Sequence, residues 1–147
     1  MAIVSNAIAV LQCNAAVDAC DDTGTGTLIF YSGAAPADVS VAATGTLLAT
    51  LPLLNPAFSA ATDSGGGATA SISGAIPATA ITATGTATYA RAVSGLGVEV
   101  LQFTVSGSSG TGGTGEIKVD VTHAAGAPLV GGADLSLATF TYTQNEV

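Results

Sequence analysis

Cationic side chains are almost missing from this chain. Arg91 and Lys118 are the only two, set against ten acidic residues and a single histidine, His123. A phosphate backbone is gripped by several Lys or Arg contacts at once, so the composition argues against nucleic-acid binding. The formal net charge of −8 argues equally against an anionic membrane surface and fits docking onto a basic patch of a partner. Tryptophan is absent, and four Phe and three Tyr are all the aromatic residues present. That leaves little for the aromatic platforms of a sugar-binding cleft. No window reaches the roughly 18 consecutive apolar residues of a membrane span. No cationic stretch followed by an apolar one marks a signal peptide, and synthesis in a cytoplasm is the expectation.

Small residues fill the space. Alanine, threonine, glycine and serine number 29, 20, 19 and 12, together 80 of the 147 residues. The hydrophobic fraction of 48% is ordinary for a folded chain, but much of it is alanine. Disordered chains are rich in charge and poor in patterned aliphatic residues, and this chain is the reverse. A single domain over residues 1–147 is expected. A chain of this length buries about two-thirds of its unfolded surface, so a core is available, though a thin one.

The N-terminal segment differs from the rest. Residues 5–22 contain no Gly or Pro, and Val10, Cys13, Val17 and Cys20 recur at three-four spacing, which predicts a helix over about 5–21 with one narrow apolar stripe. Ser5 or Asn6 can cap its start, and Thr23-Gly24 can end it. Asp18, Asp21 and Asp22 crowd the C-terminal end, the unfavourable end of the helix dipole. Seven residues of helix separate Cys13 from Cys20 by about 10 Å at 1.5 Å per residue. A disulfide needs less than about 7 Å, so the two are expected to be separate buried thiols.

Strand patterns follow. The expected strands lie over 27–32, 45–51, 68–73, 82–93, 98–106, 116–121 and 134–143, with turns at Asn55-Pro56-Ala57 and at Asp63 to Gly67. Thr84, Thr86 and Thr88 share one face of the fourth, with Ala87 and Tyr89 on the other. In the last, Leu135 and Leu137 alternate in one phase and Phe140 and Tyr142 in the other, which a bulge near Ala138-Thr139 would reconcile. The sum is a mainly β fold: an antiparallel β-sandwich or jelly-roll-like barrel of about seven or eight strands over about 26–147, preceded by one α-helix.

Chemistry-bearing constellations are few. His123 follows Asp120 by three residues, but no Gly-x-Ser-x-Gly elbow accompanies it, and a solvent-exposed strand end is the simpler role. Asp21-Asp22 with Thr23 and Gly24 lacks the alternating acids and terminal Glu of a calcium loop. The glycine run before Glu116 precedes a strand rather than a helix and carries no Gly-Lys-Ser/Thr, so it is no phosphate cradle. Arg91 and Lys118 are each expected to pair with a nearby acid. No catalytic, cofactor-binding or metal-ligating set is expected. The candidate site is the stripe Val10, Cys13, Val17 and Cys20, packing either on the sheet or on a partner.

Several phrases together carry a resemblance. They are the short N-terminal helix, the run from Gly26 to Gly33 with Pro36, Gly45 to Leu51, Asn55-Pro56-Ala57-Phe58, and Ala83 to Arg91. Over about residues 5–93 the chain resembles small virion-associated proteins encoded in the structural gene clusters of tailed bacteriophages. The resemblance implies a small β-rich particle component and does not say which part of the particle. Together with the scarcity of reactive side chains, the acidic balance and the lack of an export signal, it leads to the expectation of a non-enzymatic capsid decoration (cement) protein on the head lattice, assembled in the host bacterial cytoplasm. Its partners would be further copies of itself and the major capsid protein or another virion protein. A tail or head–tail component is the alternative within the virion. From another class, a carbohydrate-binding or adhesin module also suits a β-sandwich, and micromolar glycan-array binding by the isolated protein would favour it.

The stretch 106–115 is the longest low-complexity run, and glycine has no side chain to pack and the most entropy to lose on ordering. Deleting Ser108 to Gly113 is therefore expected to leave the melting temperature of the soluble protein unchanged. Failure to recover soluble folded protein would make the run an ordered contact element.

Overall fold

The computed structural model describes residues 5–107, 117–119, 128–137 and 140–145. It is mainly β, with one N-terminal helix, α1 (Asn6–Asp18), extended by a 3-10 turn (Ala19–Asp21). Ten strands follow among the described residues: β1 (Thr27–Tyr31), β2 (Leu47–Pro52), β3 (Thr62–Asp63), β4 (Gly67–Ser71), β5 (Ile76–Ala80), β6 (Tyr89–Val93), β7 (Glu99–Gly107), β8 (Ile117–Val119), β9 (Asp134–Leu137) and β10 (Thr141–Asn145). They form a five-stranded sheet of order β2-β1-β6-β7-β8, a three-stranded sheet of order β10-β4-β3, and the pair β5-β9.

The ladders are antiparallel except at one edge, where β8 runs parallel to β7. Alternation then sorts the side chains. In β1, Leu28 and Phe30 are buried while Thr27, Ile29 and Tyr31 are partly exposed. Leu28 and Phe30 pair with Ala92 and Ala90 of β6, and those with Leu101 and Phe103 of β7, so large and small side chains alternate across the core face. The opposite face carries Tyr31, Tyr89, Arg91 and Gln102 in register.

Aromatic rings join the sheets. Phe103 of β7 meets Phe140 edge-on at 5.4 Å and Tyr142 of β10 at 6.3 Å, and Phe140 meets Phe58 at 5.6 Å. Such edge-to-face pairs add about 0.5–1.5 kcal/mol each beyond the area they bury. The rest of the described core is Leu and Ile interleaved with alanine.

The helix is where expectation and structure meet most closely. It packs across β3, β4 and β10, and Ala9, Cys13, Val17 and Cys20 are buried. Its end is shorter than the expected Asp21, the last turn having tightened into the 3-10 form. Three polar residues on its flank fasten a neighbouring segment. Asn6 Nδ2 donates to Asp63 Oδ2 at 2.6 Å, Ala61 N donates to Asn14 Oδ1 at 2.8 Å, and Ala57 N donates to both Asp21 oxygens at 2.9 and 3.1 Å. The order 6–14–21 against 63–61–57 makes residues 57–63 run antiparallel alongside the helix. The lengths agree: 15 helical rises span about 22 Å, and six extended residues about 20 Å.

The mainly β architecture behind one N-terminal helix is as expected, and three details are corrected. Among the described residues the strands number ten where about seven or eight are expected, because β3 and β5 lie where few apolar residues signal them. The expected strand over 82–93 is confined to Tyr89–Val93, since Thr82 and Ala83 bond sideways to Leu48 O and Gly85 bridges to Leu129. The two halves of 134–143 are separate strands in different sheets: β9 pairs with β5, and β10 with β4. Their opposite phases need no shared ladder. The ladders are antiparallel as expected, with one parallel pair at the edge, β7–β8. His123, Glu116, Asp120 and the run 108–115 lie outside the described residues.

Val17 is 1% exposed. Val17→Asp is expected to destabilise the fold by several kcal/mol, the cost of an unpaired buried carboxylate, comparable to the whole stability of a small domain. Chemical denaturation followed by circular dichroism measures it, and an unchanged midpoint would remove the stripe from the core.

Candidate docking surface

The structure places Cys13, Val17 and Cys20 of the expected stripe inside the protein and Val10 at its margin, half-buried. Both cysteines are free. Burial pushes the Cys20 thiol up to about 12, with the Asp21 carboxylate adding to the effect, and burial raises Cys13 as well. These are neutral packing groups, since the thiolate is the reactive form.

Arg91 is the polar centre of the five-stranded sheet's other face, and it is wholly buried. Its guanidinium pairs with Glu99, donates from Nε to Gln102 Oε1 at 3.0 Å, and reaches the carbonyls of Val39 and Asp38 at 3.3 and 3.4 Å. Its Cζ lies 6.0 Å from the centre of the Tyr89 ring, and that ring stacks on Tyr31 at 5.1 Å. Burial and then the nearby Glu99 carboxylate raise the Tyr31 hydroxyl above its ordinary range.

The segment joining β1 to β2 lies over this cluster and is fastened by it. Gln102 Nε2 donates to Pro36 O at 2.8 Å, Thr44 N donates to the Tyr89 hydroxyl at 3.0 Å, and that hydroxyl donates back to Thr44 O. The segment returns through Gly45 at φ +84°, where a Cβ would fall 1.8 Å from Ser32 O, so only glycine fits. Asp38 accepts from Ser40 N at 2.7 Å, which holds its exposed carboxyl below the usual range.

The exterior is therefore anionic. With Arg91 enclosed, Lys118 is the only other cation in the sequence. Asp18, Asp22, Asp38, Asp63 and Asp134 are exposed. Asp63 is held below the usual carboxylate range by the Gly65 N–H and by Asn6. The crowding of acids at the helix end has a partial explanation, since Asp21 is spent on Ala57 N. Asp18 and Asp22 face solvent.

A second helix stripe escaped the sequence reading. Ile8 and Leu11 are 42% and 63% exposed, Ala15 is exposed, and Asp18 continues the same three-four spacing. The signal was present in the sequence. α1 is apolar on two opposite faces, and only packing decides which face turns inward. Other exposed apolar residues include Leu96 and Val98 in the β6–β7 hairpin, where Gly95 lies against the backbone of Gly24. The candidate surface thus begins on the helix and ends beside this hairpin. Among the described residues no group of three or more His, Cys, Asp and Glu comes together in a way that could hold a metal ion. Comparison with protein-family models, with curated proteins and with solved structures finds no match to this chain.

The Arg91–Glu99 pair is asymmetric, because the Glu99 side chain is 29% exposed and can hydrate while Arg91 cannot. Glu99→Ala leaves an unpaired buried cation and is expected to cost about 3 kcal/mol or more. Arg91→Met, which removes the buried charge, is expected to cost less. Urea denaturation of the two variants compares them. The reverse order would mean that anchoring the β1–β2 segment outweighs the charge.

Proposed function

We propose that this chain is a non-enzymatic structural protein of a tailed-phage particle, acting as a capsid decoration protein that docks on the head lattice. The observation that carries the reading is the enclosure of Arg91. With Glu99 paired to Arg91 and Asp21 bonded to Ala57 N, eight of the ten acids and at most one Lys or Arg remain for everything the protein meets. Such a surface selects a cationic partner and repels nucleic acid and anionic lipid. The resemblance of residues 5–93 to small virion proteins supports the same reading. So does the texture of the exterior, where Thr, Ser and Ala predominate. Short side chains lose little rotamer entropy on burial, which favours flat and repeated docking.

The contact should be salt-sensitive, since the Debye length falls from about 10 Å at 0.1 M salt to about 3 Å at 1 M. Purified particles washed at rising ionic strength and assayed by gel are expected to carry the chain at low salt and lose it at high salt. Absence of the chain from particles at every ionic strength would overturn the reading. Equal retention at all salts would replace the electrostatic contact with an apolar one.

A further inference from the structure

We infer that the outer face of α1 is the docking site, and that its occupant is a basic amphipathic segment of another protein, with apolar side chains at one end and Lys or Arg at the other. This rests on the reading that the chain works by docking, and it names the site and the partner's chemistry.

The helix buries Ala9, Cys13 and Val17 and turns Ile8, Leu11 and Ala15 to solvent on the opposite side. The strip then changes character: Asp18 follows at the next helical spacing, and Asp22 is exposed just beyond. From Ile8 to Asp22 it runs about 20 Å at 1.5 Å per residue, roughly four helical turns. Its acidic end coincides with the negative pole of the helix dipole, and no basic residue stands in the last turn to offset either. Among the described residues Leu11 stays exposed and no ion pair reaches Asp18. An occupant that did both would bring an apolar patch to Ile8 and Leu11 and a cation to Asp18 and Asp22.

A second copy of this chain does not have that chemistry. Two helices packed in parallel through this face would set Asp18 and Asp22 against the same acids. Packed antiparallel, they would bury those carboxylates against Ile8 and Leu11, and a buried carboxylate without a partner is costly. Nor does the other copy's helix supply a cation: residues 5–22 hold no Lys or Arg, Arg91 is enclosed and paired with Glu99, and Lys118 alone is left against two carboxylates. The complement must come from a different polypeptide, read as a helix laid along the strip.

The test uses the full chain and a synthetic 18-residue Lys/Leu helical peptide with Leu on the contact face of one half and Lys on that face of the other, with a Glu/Leu peptide of the same pattern as its counterpart. Titration by fluorescence anisotropy should show the Lys/Leu peptide binding and the Glu/Leu peptide failing to bind. Leu11→Ser, at a position exposed enough to leave the fold intact, should weaken the Lys/Leu complex about tenfold, as expected for losing one apolar anchor. The double variant Asp18→Asn with Asp22→Asn should weaken it by a similar factor and flatten its salt dependence. Unchanged affinity in both variants, or equal binding of the two peptides, overturns the inference. So does a dimer of the free chain, seen by sedimentation equilibrium, that Leu11→Ser dissociates, because the occupant would then be a second copy. Peptide binding that follows this pattern in a chain absent from particles would sustain the docking chemistry and remove the virion reading alone.

Discussion

A fully buried guanidinium sets the terms for half of this molecule. Arg91 stands in the middle strand of the five-stranded sheet, and its charge must be answered where water cannot reach. Glu99 answers the charge, and Gln102 with the carbonyls of Asp38 and Val39 takes up its donors. Removing two ions from water costs several kcal/mol apiece, so the pair is poor evidence of net stability. What it provides is position. The segment between β1 and β2 has few large apolar side chains of its own and would otherwise have little reason to lie flat. Tyr89 and Gln102 extend the same anchoring to Thr44 and Pro36.

The same economy recurs at the helix. A core in which alanine takes many of the positions offers small contact area there. Long-range side-chain-to-backbone bonds complete what packing leaves loose. Asn14 and Asp21 take the backbone N–H groups of Ala61 and Ala57, and Asn6 adds a side-chain bond by donating to the Asp63 carboxylate. Each net bond is worth about 1 kcal/mol, but leaving those N–H groups buried and unpaired would cost more. The aromatic cluster of Phe58, Phe103, Phe140 and Tyr142 supplies the few large contacts between layers.

Legibility followed the size of the side chains. The helix, β1, β2 and β7 were plain in the sequence, because Leu, Ile, Val and Phe recur there with the period of the element. β3 and β5 were not, since Thr62-Asp63 and the run Ile76 to Ala80 carry almost no apolar alternation and owe their pairing to neighbours. Thr82 to Thr88 keep the expected alternation, Thr outward and Ala83 and Ala87 against the core, but outside a strand ladder, because Leu48 captures Thr82 and Ala83 from the side. An ion pair for Arg91 could be expected from composition, but its enclosure depends on a segment over fifty residues away in sequence. The inner helix stripe was legible. The outer one was hidden in plain view, because Ile8 and Leu11 are as apolar as Val10 and Val17, and periodicity alone does not rank two opposite faces.

The surface follows from these internal commitments. Enclosing the one arginine that the sheet could have displayed makes the exterior an acceptor of positive charge, and the helix leaves an apolar strip beside Asp18 and Asp22. The most direct measurement is zero-length carbodiimide cross-linking of intact particles, which joins a carboxylate to a lysine in contact with it, followed by mass spectrometry. On the proposed virion role, the account predicts links from Asp18 or Asp22 to lysines of a second protein of the particle. Links that fall instead on Asp38 or Asp134, with Asp18 and Asp22 unmodified, would contradict it.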